Sequence, residues 1–536
     1  MRVQMLEFVV LLLLLFVALF AAVARRLQTP YPIALVIAGL LLGFIPGIPR
    51  INLDPDIVFF VLLPPLLYAA AWTTSWRDFS YNLISISFLA VGLVAFTVLA
   101  IGAVAHAWFP AFDARLGIVL GALVAPTDAV AATTIARRLG LPRRIVDVLE
   151  GESLVNDATG LLALEFGMAM VMHGETPGAG AAILRLSWLA AGGIGVGLVI
   201  GRIVEWIELH IDDAPIEFTI SILVPYAAYF AGESVRASGI LAVVATGLYL
   251  SRRSSRFFSP RVRIQLFSVW NALVFVLNGV AFVLIGLQLP YVVAGIRGRY
   301  GWGPLLWSAA IFSAIVILLR LLWVFPGAHL AYFLRRRLLG QKEPTPPPRH
   351  IFVVGWTGMR GVVALAAALA LPRVLANGSP FPHRDLIIFL TFGVILVTLV
   401  AQGLSLPALI RALGLAGNQG RSCEEREARQ IVAEAALAHL ADARQKDDAA
   451  FRGVYDDLEQ HYRGRLDSLS PRDGQDGTGT PQYRYDELTH ELLRVERETA
   501  LRLRDEGRIS DEVLRQLERD IDLGETRLSG LFEESN

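Results

Sequence analysis

Apolar runs of about 20 residues recur from the first residues of this chain to about residue 411. A helix of roughly that length crosses a hydrocarbon core ~30 Å thick. Charged residues make up only 18% of the sequence, against about 25% in a soluble domain. The chain therefore reads as an all-α polytopic membrane protein. About 13 transmembrane helices are expected, at 6–23, 31–46, 57–72, 83–109, 115–136, 145–173, 181–206, 217–232, 239–251, 264–288, 303–333, 350–371 and 385–411. The second, third, eighth and ninth are short or broken by Pro and Gly. In the third, Pro64-Pro65 predicts a proline-broken helix. The first apolar stretch is too long for a signal peptide and is followed by Arg25-Arg26, so it is expected to be retained.

The composition changes near the end of the last segment. A membrane domain, 1–414, is expected to precede an acidic helical tail, 415–536. From Leu415 onward Lys and Arg number 18 against 28 Asp and Glu, which leaves 30 and 20 for the membrane part. Glu424–Gln460 and Tyr485–Arg527 read as charged helices, and Ser468–Pro481 as a linker. The tail has no phosphate loop and no metal motif. It reads as a solvated appendage, with a regulatory or oligomerising role and an unidentified ligand as the other reading. Arginine clusters such as Arg137, Arg138, Arg143 and Arg144 fall in alternate loops, which together hold about twice the basic residues of the others. That bias predicts an N-terminus outside and a C-terminus in the cytoplasm. The only cysteine, Cys423, excludes a disulfide framework and a Cys metal cluster, and suits a reducing compartment.

One segment departs from the apolar pattern. Glu150-Gly-Glu152-Ser153-Leu-Val-Asn156-Asp157-Ala-Thr-Gly160 places acids and an amide inside the sixth span. Ionisable groups are costly in the bilayer core, so an intramembrane carboxylate is a functional-site candidate. Glu152 and Asn156 are four residues apart, as are Ser153 and Asp157, and the two pairs lie side by side as one polar stripe. Counted from Ile145, Asp157 is roughly 18 Å along its helix; counted from Arg115 on the opposite side, Asp128 is roughly 20 Å along the fifth. Both acids therefore fall near mid-membrane. Pro126 interrupts the fifth span just before Thr127-Asp128, and Gly355-Trp-Thr-Gly358-Met-Arg360-Gly361 interrupts the twelfth. These two broken helices are an odd number of segments apart, which inverts the second copy. Inverted repeats with two broken crossing helices point to a transport site. Arg320 in the eleventh span and Arg360 in the twelfth are the candidate partners for Glu152, because a buried charge is tolerable when paired.

A carboxylate in a narrow, partly wet cavity is poised between two states. Desolvation favours its protonated form, and a nearby cation favours its ionised form. Such a group holds either a proton or a small cation. Oxygens of Thr127, Asp128 and Ser153 suit a hard ion such as sodium or lithium, and no thiolate or imidazole cluster is present for a transition metal. Exchange of a monovalent cation for a proton is thus expected rather than enzymatic chemistry. Ser153 has no identifiable His partner and no nucleophile elbow. A membrane sensor with the tail as output is the alternative, as is a passive cation channel. The sensor has no need of two mid-membrane acids on broken helices. The channel calls for a continuous polar pore. No cofactor beyond the transported ions and no nucleic-acid partner is expected.

The ordered motifs carry a resemblance. Gly151-Glu-Ser-Leu-Val-Asn-Asp157 resembles the Asn-Asp signature of the cation/proton antiporter superfamily, in its sodium/proton exchanger branch. Ala125-Pro-Thr-Asp128, Leu62-Leu-Pro-Pro-Leu-Leu67, Asn278-Gly279 through Gly286, and Gly358-Met-Arg-Gly361 resemble the same family in the same order. The resemblance covers roughly residues 5–411. It implies a bacterial inner-membrane homodimer whose core, at about 83–173 and 303–411, moves against a dimer domain by alternating access. It implies Asp157 as the ion- and proton-binding carboxylate, with sodium held by Asp157, Asp128, Thr127 and Ser153. Asn156 takes the place of a second aspartate, which implies one-for-one, electroneutral exchange. Glu152 with Arg320 is similar to a structural ion pair of the family, and Arg360 is implied to support the broken twelfth helix. The family's occasional acid after the double proline is replaced here by Tyr68-Ala69.

Overall fold

The computed structural model describes residues 2–27, 29–45, 55–108, 112–173, 178–211, 213–296, 301–338, 345–375, 378–417, 419–446, 451–469 and 481–506, with Gly340 and scattered positions from 508 to 523. Among these residues the chain is helical, and its sole β feature is an isolated bridge between Val374 and Pro380. Residues 1–418 form one compact unit and residues 419–536 another.

Among the described residues of the first unit, eight helical stretches are long and apolar enough to cross a membrane, and Tyr31–Leu42 and Ile57–Thr73 are shorter apolar helices. The elements are α1 Arg2–Arg26, α2 Tyr31–Leu42, α3 Leu63–Thr73, α4 Trp76–Ser87, α5 Val94–Trp108, α6 Ala114–Val124, α7 Ala129–Arg138 and α8 Arg143–His173. They continue with α9 Ala179–Glu208, α10 Ala214–Ser234, α11 Gly239–Phe257, α12 Pro260–Leu287, α13 Leu289–Ile296 and α14 Trp302–Leu338. Two short helices, α15 Pro348–Trp356 and α16 Val362–Leu369, precede α17 Arg384–Val397 and α18 Gly403–Ala412. Large apolar side chains stay exposed along these helices, among them Leu15, Leu198, Trp206, Leu318 and Leu322. Lipid is the solvent that suits such a surface.

The expected break at Pro64-Pro65 does not occur. A π-helical turn, Ile57–Leu62, runs directly into α3, and the prolines occupy the first turn of the α-helical part. The Leu63 N–H still reaches back to the Val58 carbonyl, and the Val61 carbonyl, which loses its i+4 donor to Pro65, accepts from the Tyr226 hydroxyl at 3.1 Å instead. The wider preceding turn absorbs the change of register. The eighth expected span is likewise continuous through Pro225, and the ninth is one uninterrupted helix. The breaks at 125–128 and 357–361 do occur, separating α6 from α7 and α15 from α16.

α9 and α11 pack along a small-residue stripe. A Cβ added at Gly197 would meet the Ala242 carbonyl, so glycine there sets the distance between the two backbones. In the second unit, α19 Gln419–Lys446 and α20 Arg452–Leu469 are joined by Arg444, which pairs with Asp456 at 2.9 Å and Glu459 at 3.2 Å. The charged helix expected over 424–460 is therefore two helices. α21 Pro481–Asp505 follows; most of the expected linker, 470–480, lies outside the described residues.

Candidate functional site

The two breaks meet. The Asp128 backbone N–H donates to the Met359 carbonyl at 2.8 Å, which stitches one interrupted segment to the other. Four half-helix ends converge there. Helix N-termini carry partial positive charge and C-termini partial negative charge, and the side chains at the junction match both. Asp128 is the N-cap of α7, its Oδ1 accepting from Val130 N at 2.8 Å. Gly361 is the N-cap of α16, and a Cβ added to it would strike the Asp128 carboxylate. One acid thus faces two helix N-termini. At the opposite poles, Arg360 Nε donates to the Val124 carbonyl that ends α6, at 2.9 Å, and its Nη1 donates to the Gly358 carbonyl. Arg320 donates from Nε and Nη2 to the Val354 carbonyl in the last turn of α15, at 3.2 and 3.1 Å.

Glu152 is paired with Arg320 in a two-pronged contact, 2.5 Å to Nη1 and 2.8 Å to Nη2, and both residues are 1% exposed. A bidentate guanidinium–carboxylate pair is the geometry in which a buried charge is best compensated. Arg360, the other candidate partner of Glu152, is used for the carbonyls above. Glu152 also accepts from the Thr127 hydroxyl at 3.0 Å, and that hydroxyl accepts from the Asn156 amide at 2.7 Å. The same amide reaches the Thr127 carbonyl at 3.2 Å. Donation therefore runs in one direction, from Asn156 through Thr127 to Glu152.

Asp157 lies on another side of the same helix. It is the fifteenth of the 31 residues of α8, hence at its middle. A cavity of about 450 Å³ is lined by Asp157, Ser153, Asp128 and Thr127, and also by Tyr31, Thr134, Asn271 and Asn278. Ser153 Oγ accepts from Ala129 N at 3.3 Å, in the first turn of α7. The expected polar stripe is thus divided: Ser153 and Asp157 face the cavity, while Glu152 and Asn156 are sealed in protein at 1% exposure each. Asn278 stood in a motif noted in the sequence. Tyr31 carried no signal, because it opens an ordinary apolar helix. His106 and His329 pair with the Phe112 and Phe325 carbonyls at 2.7 Å, away from the cavity.

Known proteins resemble this chain along most of its length. Residues 11–412 match the family model for the transmembrane sodium/hydrogen exchanger. The chain belongs to the sodium/hydrogen exchanger family. It is 34% identical over 535 residues to an uncharacterised Na(+)/H(+) exchanger of Mycobacterium tuberculosis, covering 96% of each chain. It is 33% identical over 411 residues to a Bacillus subtilis protein named as a sodium, potassium, lithium and rubidium/H(+) antiporter, covering 75% of this chain and 61% of that one. The structure of the sodium proton antiporter MjNhaP1 from Methanocaldococcus jannaschii superimposes with a TM-score of 0.62 at 22% identity, covering 77% of this chain and 99% of that one. The exchanger family comprises multi-pass membrane transporters, not enzymes, and the fold of this member is shared with that solved antiporter.

Proposed function

We propose that this protein exchanges protons for a monovalent cation, sodium foremost, across the bacterial inner membrane. The observation that carries the reading is Asp157: a carboxylate at the middle of a membrane helix, on the wall of a cavity, with Asp128 on the same wall. Asp157 holds either the proton or the cation. Asp128 and Ser153 supply further oxygens, and Thr127 completes the wall. Two points favour one-for-one, electroneutral exchange. Asn156 stands beside Asp157 where a second acid would add a charge, and its amide is held by Thr127. Asp128 is engaged as a helix cap and compensates two helix ends, which suits a fixed charge better than a travelling proton. Sodium is the cation named for most of the relatives, and the Bacillus name extends the class to potassium, lithium and rubidium.

Alternating access supplies the coupling: the loaded site faces either side, and the empty, charged site does not reorient. The moving core is residues 83–173 and 303–411 of the 1–414 transport domain, working in a homodimer with its N-terminus outside. The tail, 415–536, is a solvated helical appendage in the cytoplasm.

The test is Asp157→Asn in proteoliposomes. Sodium-driven proton flux is expected to fall to that of protein-free vesicles, with expression and dimerisation unchanged. Full flux in that variant would refute the reading. Wild-type flux is expected to be insensitive to clamping the potential with valinomycin and potassium; acceleration by the clamp would overturn the stoichiometry.

A further inference from the structure

Glu150 opens the polar stretch of α8, and the exchange reading leaves it without a role. Its position is informative. Glu150, Ser153 and Asp157 are spaced three and then four apart, so they follow one face of the helix. All three line the same cavity. Asp157 lies roughly 10 Å further along the axis than Glu150. The cavity wall also includes Arg137, the penultimate residue of α7, whose side chain is 60% exposed and so marks the solvent end. Arg137 Nη2 meets Glu150 Oε1 at 2.5 Å, and Glu150 is only 15% exposed. Other charges stand nearby: Asp147 is one turn before Glu150, and Asp78 pairs with Arg143 at 3.6 Å. None of these three lines the cavity.

We propose that Glu150 is the cation-collecting residue at the mouth of this cavity, charge-balanced by Arg137, and that the pair sets the affinity with which cations reach Asp157 from that side. The proposal rests on the exchange reading above and adds to it a residue, a sign and a side. A cation on its way to Asp157 passes the carboxylate at the solvent end, where an acid raises the local cation concentration and a neighbouring arginine lowers it. The balance matters because the two charges are unequally exposed. The arginine projects into water and is screened, whereas the carboxylate is sheltered at the cavity wall.

The two residues therefore have opposite expected effects. Glu150→Gln leaves Arg137 uncompensated and raises the KM for sodium at the mouth-facing side. Arg137→Gln leaves Glu150 uncompensated and lowers it. Each shift is about three- to tenfold at low ionic strength, the scale of one unit charge about 10 Å from the site in a partly wet medium. The double variant returns close to wild type. In every case kcat changes less than KM, and the shifts shrink when choline chloride is added. The experiment measures sodium-driven proton flux in inside-out and right-side-out membrane vesicles for wild type, both single variants, the double variant and Asp157→Asn. Opposite KM shifts confined to one vesicle orientation support the proposal. A pair that merely ties α7 to α8 would move both single variants in the same direction, through lower yield or kcat, and that result overturns it. Unchanged KM in both singles, with Asp157→Asn silent, overturns it too while leaving the exchange reading intact. Flux surviving in Asp157→Asn would instead strike at the exchange reading itself.

Discussion

The two sides of α8 place the same chemical group in opposite circumstances. Glu152 and Asp157 are both carboxylates, five residues apart on one helix in the membrane interior. Glu152 is saturated: two guanidinium nitrogens and a hydroxyl donate to it, and it has no opening to solvent. Asp157 lines a cavity. A saturated carboxylate has nothing left to exchange, so its charge is a structural element like a disulfide or a packed leucine. A carboxylate on a cavity wall can trade one positive partner for another. The difference teaches that burial alone does not mark a transport site in a membrane protein; what matters is whether the compensating charge is built into the chain or must arrive from solution.

The strongest way to break this comparison is to neutralise the saturated acid. Glu152→Gln keeps the shape but leaves Arg320 buried and charged without its counter-ion. Removing one partner of a buried pair costs about 3–5 kcal/mol. The expected outcome is a low yield of monodisperse protein and a much reduced midpoint of thermal unfolding in detergent, while the molecules that do fold keep a near-normal KM for sodium. A stable Glu152→Gln protein with a large shift in sodium affinity would show that the two acids are not divided as described.

A smaller effect is expected at the junction of the breaks. Gly361 must be glycine because any Cβ would occupy the space of the Asp128 carboxylate. Gly361→Ala should cost about 1–3 kcal/mol, the usual scale of overpacking. Because the atom displaced belongs to the cavity wall, it should also weaken sodium binding. Isothermal titration or the KM of flux would read that loss. Stability loss with unaltered affinity would mean that Asp128 serves only the helix ends.

The division between the two faces was legible in the sequence only in part. The spacing of Glu152, Ser153, Asn156 and Asp157 places two pairs side by side, and a buried acid with arginines available nearby suggests a structural partner. Choosing between Arg320 and Arg360 required the tertiary arrangement, since both are single cations in apolar spans. The breaks at Pro126 and Gly358–Gly361 were legible because proline and clustered glycines interrupt the hydrogen-bond ladder itself. Pro64-Pro65 misled for a complementary reason: a π-turn before the prolines keeps the helix continuous, and neither that turn nor the distant Tyr226 hydroxyl that takes up the Val61 carbonyl leaves a mark in local composition. Tyr31 and Arg137 reach the cavity by packing between segments distant in the chain, which no local pattern encodes.

Thr127 lies on the boundary between the faces and gives the finest test. It lines the cavity, yet its hydroxyl donates to Glu152 and accepts from Asn156. Thr127→Val preserves the shape and deletes both bonds. The Asn156 amide keeps the Thr127 carbonyl at 3.2 Å, and Glu152 keeps Arg320, so neither group is stranded. The cost is then about 1–2 kcal/mol, near that of ordinary hydrogen bonds. If the hydroxyl belongs to the sealed face, the unfolding midpoint should fall modestly while the sodium KM moves less than it does in Ser153→Ala, whose oxygen faces the cavity. A sodium KM that rises more in Thr127→Val than in Ser153→Ala would move Thr127 to the ion's side. The sealed face would then begin at Asn156 and Glu152 alone.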